Sequence, residues 1–280
     1  MKKTMVLFFL TFTSLQSIYA QDWHPGKMGE DAPSGKVVKI PSSDIQMRGV
    51  IYYPKATKEN EKFPAVIIVH GWTPYGARAG EPYTYVAKEY SENGFIAMAM
   101  TLRGWPESGG KDDCGLKQPR DIARAAEWLS KQPQVDSNRI GLMGQSLGGQ
   151  VVLSAAALTK TVKATAAYFP ITDFRLWGVT TGLPQPVLDD YIYGMCAQNG
   201  TPEDRSPLYT SQKIHGAVLL LHGDKDTNVL IAHSKLMQQK MLESKQDVTL
   251  YVANGGGHGA GGNGWENHNK IVFDFLNKKL

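Results

Sequence analysis

Cysteine is scarce in this sequence, which contains only Cys114 and Cys196. Two cysteines so far apart cannot form a metal knuckle or a disulfide scaffold. They could form one disulfide bridge if the chain is exported to an oxidising compartment. Two unpaired cysteines, acting as small hydrophobic side chains, would look the same in sequence. The sequence leaves both alternatives open.

Long apolar runs are also missing. The apolar stretch near the amino terminus, 5–15, follows Lys2 and Lys3 and precedes the small residue Ala20. It is interrupted by polar residues and falls short of the roughly 20 residues that a membrane-spanning helix needs. The pattern is typical of a secretory signal peptide. We expect cleavage after Ala20, so that residues 1–20 are the signal peptide and the mature chain is secreted or periplasmic, with no membrane span.

The sequence has no basic run and no cluster of metal ligands. Its formal charge is +4, and its lysines and arginines are scattered, which argues against nucleic acid as a partner. Residues 257–262 satisfy G-x-G-x-x-G, but only one more helix follows and no acid lies at the required distance. His, Cys, Asp and Glu show no metal-ligand spacing. We expect neither a metal nor a cofactor.

Short apolar runs alternate with helical patterns along the chain, which indicates a mostly parallel sheet with helices on both faces. An earlier pair of segments, 36–40 and 46–53, alternates polar and apolar residues and predicts an antiparallel edge. The composition suits one α/β domain over 21–280. The predicted strands are 63–70, 95–100, 139–143, 162–169, 217–221 and 247–252, and the predicted helices are 119–131, 265–280 and two that follow Ser146 and Val229.

One long segment, 172–213, follows the sixth strand and shows no clean period. Four prolines interrupt it. Unstructured stretches of this length inside a compact domain are uncommon and usually functional. We interpret the segment as an insertion over the sheet, a lid or cap.

The segment GQSLGG, 144–149, matches the G-x-S-x-G nucleophile elbow. It lies between a predicted strand and a predicted helix, where the chain must turn sharply and leaves no room for side chains beside the serine. Ser146 is therefore the predicted nucleophile. The alternative is a glycine-rich turn in which Ser146 only caps the helix.

A serine hydroxyl needs a base, and the base needs an acid that orients it. Asp226 and His258 each follow a predicted strand, and the order Ser, Asp, His is the one that α/β hydrolases use. From spacing alone Asp224 is a rival acid. His70 and His222 end apolar strands, where a structural histidine is the better interpretation.

Backbone amides are expected to stabilise the negative charge on the substrate oxygen. The sequence places Leu147 directly after the nucleophile and Trp72 in the turn after a strand, as the two donors of an oxyanion hole. Tyr75, Trp105 and Trp177 could line a substrate-binding pocket, and aromatic packing without a ligand is the alternative for each.

These motifs resemble single-domain α/β hydrolases close to the prolyl oligopeptidase catalytic domain and the dienelactone hydrolases. The resemblance rests on VIIVHGW, TLRGWPESGG, VDSNRIGLMGQSLGGQ, HGDKDTNV and GGGHG. It implies the α/β-hydrolase fold, and its HGxxDxxV motif implies Asp226 rather than Asp224 as the acid. Dienelactone hydrolases usually carry cysteine where this chain has Ser146, and the oligopeptidases carry a propeller for which 280 residues leave no room.

The resemblance therefore favours an esterase that acts on small or carbohydrate-linked acyl esters through an acyl-enzyme. A serine peptidase that acts on short peptides is the alternative, and a non-catalytic binding protein on a hydrolase scaffold is the second alternative. The expected partner is a small-molecule ester or a short peptide. The sequence does not predict an oligomeric state.

Overall fold

A computed structural model describes residues 30–55, 58–73, 78–198 and 200–280. The predicted signal peptide, 1–20, and Tyr75 lie outside these ranges. In the described part of the chain, no helix is long and apolar enough to cross a membrane.

The central sheet has eight strands in the order β1-β2-β4-β3-β5-β6-β7-β8. The pairs β1–β2 and β2–β4 are antiparallel, and every other neighbouring pair is parallel. This is the mostly parallel sheet with an antiparallel edge that the sequence predicted. The strands are β1 (Lys36–Ser42), β2 (Ile45–Tyr52), β3 (Phe63–Val69), β4 (Ile96–Met100), β5 (Val135–Gln145), β6 (Val162–Tyr168), β7 (Ala217–Gly223) and β8 (Val248–Ala253).

Helices cover both faces of the sheet, which makes a three-layer α/β domain. One face buries side chains of α2, α3 and α6, and the other buries side chains of α1 and α7. No helix was predicted before the fourth strand, so α1 was missed. The helices are α1 (Glu81–Glu92), α2 (Gln118–Leu129), α3 (Leu147–Ala156), α4 (Phe174–Thr180), α5 (Gln185–Val187), α6 (Ala232–Glu243) and α7 (His268–Lys279).

Strand β3 shows how one strand supplies both cores. Ile67 and Val69 face the core with α2 and α3, whereas Val66 and Ile68 face the core with α1 and α7. Successive strand side chains point to opposite faces, so a strand that is buried on both sides must be apolar throughout. This explains the unbroken apolar run that marked the strand in the sequence.

The insertion between β6 and β7 folds into short helices and packs onto the domain. It contains α4, α5, a π-helix over Leu188–Met195 and 3-10 turns over Cys196–Gln198, Glu203–Arg205 and Pro207–Lys213. A disulfide joins Cys196 to Cys114 in the loop after β4. Gln150 Nε2 on α3 donates to the carbonyls of Arg205 (2.7 Å) and Gly115 (3.2 Å). The disulfide and the buried Gln150 amide therefore tie the insertion to the loop after β4 and to α3.

Candidate active site

Ser146 stands at the turn between β5 and α3 with φ 53° and ψ −116°. This positive φ is uncommon for a residue other than glycine, and it persists only where the surroundings hold it. The amide of Ser146 donates to the carbonyl of Tyr168 on the neighbouring strand (2.9 Å). The backbone is therefore held in the strained conformation that a nucleophile elbow requires.

The glycines around Ser146 are needed because backbone atoms approach them closely. A Cβ on Gly144 would lie 2.2 Å from the carbonyl oxygen of Gly148, and a Cβ on Gly148 would lie 2.4 Å from that of His70. Neither backbone atom can move without shifting a strand or a helix. The two glycines of the motif therefore let α3 begin directly against the end of β3.

The Gly148→Ala variant is expected to lower the free energy of unfolding by about 3 kcal/mol, the upper end for an overpacked site. The control is Gly257→Ala, where an added Cβ meets nothing within 4 Å and the change should stay within about 1 kcal/mol. Urea-induced unfolding of both variants measures the difference. Equal midpoints for the two variants would show that the approach at Gly148 is not tight.

His258 connects the serine to an aspartate. Its Nε2 lies 3.1 Å from Ser146 Oγ, and its Nδ1 lies 2.8 Å from Asp226 Oδ2. The other carboxylate, Asp224, accepts from the amide of Gly255 (2.7 Å) and so braces the loop that carries His258. The structure thus brings together the three residues that the sequence selected from three separate strand ends.

The Asp226 carboxylate is buried, and both of its oxygens accept hydrogen bonds. Its Oδ1 accepts from the amides of Asn228 and Val229, each at 2.9 Å. Burial by itself would raise the pKa of Asp226, but electrostatic attraction to His258, the nearby N–H of His222 and the hydrogen bond from His258 hold this pKa well below its ordinary value. Asp226 is therefore an anion, which fixes a hydrogen on His258 Nδ1 and leaves Nε2 free to accept the serine proton.

The His258 side chain is 20% exposed. On its inner side it packs against Phe169, with ring centroids 4.6 Å apart. Phe169 follows β6 with φ 36°, another positive value outside glycine. The strained backbone at Phe169 places a ring under the imidazole, which restricts the orientations that His258 can adopt.

The predicted oxyanion donors lie on the two backbone segments nearest Ser146. Leu147 is the first residue of α3, so its amide belongs to the helix end that has no intrahelical acceptor and carries partial positive charge. On the other side, a Cβ on Gly71 would lie 3.4 Å from Ser146 Cβ, which puts the turn of Trp72 against the nucleophile. The oxyanion role of the Leu147 and Trp72 amides stays a prediction.

Two of the aromatic residues predicted to bind substrate are almost fully buried. Trp105 is 1% exposed and donates to Thr73 Oγ1 (3.0 Å). Trp177 is 4% exposed and donates to the carbonyl of Asn228 (2.9 Å), two residues after Asp226. Both placements favour the packing alternative. Trp177 nevertheless supports the loop of the candidate acid.

The interpretation of His222 as purely structural missed a contact. The ring is completely buried, and its Nε2 lies 3.4 Å from Asp226 Oδ2, the same oxygen that His258 contacts. The spacing His222 to Asp226, in a turn that directly follows a strand, was the available indication in the sequence. Among the residues that the structure describes, no group of three or more His, Cys, Asp or Glu could hold a metal ion.

The profile of the prolyl oligopeptidase family matches residues 82–280. This stretch carries Ser146, Asp226 and His258, and it is well over half of the chain. The chain belongs to the prolyl oligopeptidase family, as the motifs predicted.

Several known proteins are similar to this chain. The uncharacterized peptidase YtmA of Bacillus subtilis is 27% identical over 176 residues, which are 58% of this chain and 64% of that protein. A protein of Synechocystis sp. with the provisional name carboxymethylenebutenolidase is 23% identical over 239 residues, 80% of this chain and 85% of its own length. The acylaminoacyl peptidase of Pyrococcus horikoshii has the same fold, with a TM-score of 0.75 at 23% identity; the match covers 88% of this chain and 42% of that one.

Proposed function

We propose that this protein is a serine hydrolase that cleaves carboxylic esters through an acyl-enzyme. The observation that carries the proposal is the hydrogen-bonded series Ser146 Oγ, His258 and Asp226, with distances of 3.1 and 2.8 Å. A nucleophile within reach of a base that is itself oriented by a buried anion is the arrangement that activates a serine hydroxyl. A helix cap would require none of these contacts.

In the proposed reaction, Ser146 Oγ attacks the carbonyl carbon of the ester while its proton passes to His258 Nε2. The amides of Leu147 and Trp72 donate to the oxygen that becomes negative. Collapse of the tetrahedral intermediate breaks the bond to the alcohol, which takes the proton from His258 and leaves. Water then repeats the sequence on the acyl-Ser146 ester, releasing the carboxylic acid and restoring the serine.

Cleavage of short peptides by the same steps is the second candidate function. The family match and the relative named as a peptidase favour it. An amide has a poorer leaving group than an ester, so a peptidase must protonate the amine from His258 as the bond breaks. The two functions therefore share every residue of the site and differ in the substrates that the surroundings accept.

We also propose that the protein is exported. The disulfide between Cys114 and Cys196 supports this, because such bridges persist in oxidising compartments. It agrees with the signal peptide expected over 1–20.

A substrate panel decides between the candidate functions. The mature protein is offered p-nitrophenyl esters of increasing acyl length and, separately, a pool of short peptides whose products are identified by mass spectrometry. We expect short esters to have the highest kcat/KM and peptides to remain intact. Peptide cleavage with a preferred residue before the scissile bond would establish the peptidase instead. No turnover and no labelling of Ser146 by a fluorophosphonate would leave the non-catalytic binding protein.

A further inference from the structure

We propose that His222 is a positioning residue of this active site, which holds the turn of Asp226 and thereby fixes the carboxylate that orients His258. The inference rests on the proposed serine-hydrolase function. His222 lies near the end of β7, four residues before Asp226, and both side chains are buried. The buried His222 ring does not contact substrate, so it is a positioning residue and not a catalytic one.

The Nε2 atom of His222 faces two acceptors. It lies 2.7 Å from the carbonyl oxygen of Val229 and 3.4 Å from Asp226 Oδ2. A carbonyl and a carboxylate can only accept, so Nε2 carries a hydrogen. The shorter contact is a hydrogen bond, and the longer one exceeds the usual range and acts as an electrostatic attraction. The positive edge of the ring therefore faces the same oxygen that receives the His258 Nδ1 hydrogen.

Val229 links His222 to the other oxygen of the carboxylate. Its carbonyl accepts from His222, and its amide donates to Asp226 Oδ1 at 2.9 Å. His222 is thus bonded to Val229, and Val229 is bonded to Asp226 Oδ1. With Oδ1 fixed in this way, the carboxylate cannot rotate, and Oδ2 stays directed at His258.

The far side of the His222 ring is held as well. Its Nδ1 lies 2.7 Å from Ser234 Oγ on α6, and Ser234 is completely buried. This contact is a hydrogen bond between the ring and the Ser234 hydroxyl. The ring is therefore fixed between α6 and the 226–229 turn. The ring therefore connects α6 to the turn that carries the Asp226 carboxylate.

Two substitutions distinguish the role of the His222 Nε2–H donor from that of the side-chain volume. In His222→Gln the side-chain amide can reach the place of Nε2 and donate to Val229, whereas His222→Met fills similar volume without a donor. We expect His222→Met to lower kcat by on the order of 10- to 100-fold, as misplacement of a reacting group does, with KM changed by less than about twofold. His222→Gln should restore most of kcat, to within about threefold of the wild type.

A double-mutant cycle tests whether the effect passes through Asp226. If it does, His222→Met lowers kcat by less than about twofold when Asp226 is already asparagine, because contacting residues are not additive. The far-downfield proton resonance of His258 Nδ1–H gives a reading that needs no substrate, and His222→Met should shift or broaden it. The matched control is His268→Gln, a buried histidine bonded to Tyr168 at 3.1 Å, which should change neither kcat nor this resonance.

Equal losses of kcat in the Gln and Met variants would overturn the proposal, as would full additivity with Asp226→Asn or an unshifted His258 resonance. Failure of the proposed function is distinguishable from these results. In that case the wild type itself neither hydrolyses esters or peptides nor is labelled at Ser146. The proton resonance would still decide whether His222 positions Asp226.

Discussion

Replacement of Ser146 by alanine is expected to lower kcat about 10⁶-fold, the loss seen when the nucleophile of a serine hydrolase is removed. The oxygen that forms the acyl bond disappears, and His258 then has only water to activate. Active-site titration with a fluorophosphonate and hydrolysis of p-nitrophenyl esters measure the effect.

The Asp226→Asn variant should lower kcat about 10⁴-fold, since an amide in that place favours the wrong tautomer of His258.

The control for Ser146→Ala is Ser154→Ala on the same helix. The Ser154 hydroxyl accepts only a 3.2 Å bond from Gln150, so this variant should keep the turnover of the wild type. The fold of Ser146→Ala should remain intact, because alanine fits wherever serine does apart from the hydroxyl. Turnover that survives in Ser146→Ala would exclude Ser146 as the nucleophile and, with it, the acyl-enzyme.

Loss of the disulfide is expected to have the largest effect on stability. The bridge joins Cys114 and Cys196, which are 82 residues apart in sequence. It therefore closes a long loop and lowers the conformational entropy of the unfolded chain. A cross-link over a loop of this size contributes about 4 kcal/mol in the chain-entropy treatment. The double variant Cys114→Ser with Cys196→Ser should lose about this much free energy of unfolding.

Urea denaturation of the wild type, with and without a thiol reductant, measures the contribution of the bridge. Reductant should bring the wild-type midpoint down to that of the double variant and leave the double variant unchanged. A wild type whose midpoint is insensitive to reductant, with the thiols shown to be free, would mean that the bridge adds nothing. Hydrogen bonds such as those from Gln150 to Arg205 and from Trp177 to Asn228 would then hold the insertion.

The central strands of the sheet could be predicted because they are buried on both faces. Such strands must be apolar throughout, and β3 and β4 show this directly. Helix α1 was missed since its sequence, EPYTYVAKEYSE, mixes aromatic and charged residues and gives a weaker helical period than α2. Strand β5 begins at Val135, four residues earlier than predicted. The missed residues Asp136, Ser137 and Asn138 are polar and at least partly exposed, so no apolar run marks this part of the strand.

The sequence by itself determined the order of the strands and of the helices other than α1 and those of the insertion. It also indicated the elbow at Ser146 and the choice of His258, because each depends on local pattern and on chain order. Spacing alone left Asp224 as a rival that the resemblance argued against, and the tertiary structure places Asp226, not Asp224, against His258. Only the tertiary structure formed the disulfide and placed His222 against the Asp226 carboxylate. These results depend on which strand ends become neighbours in space. Packing of the whole sheet sets those distances, and no local pattern of residues contains them.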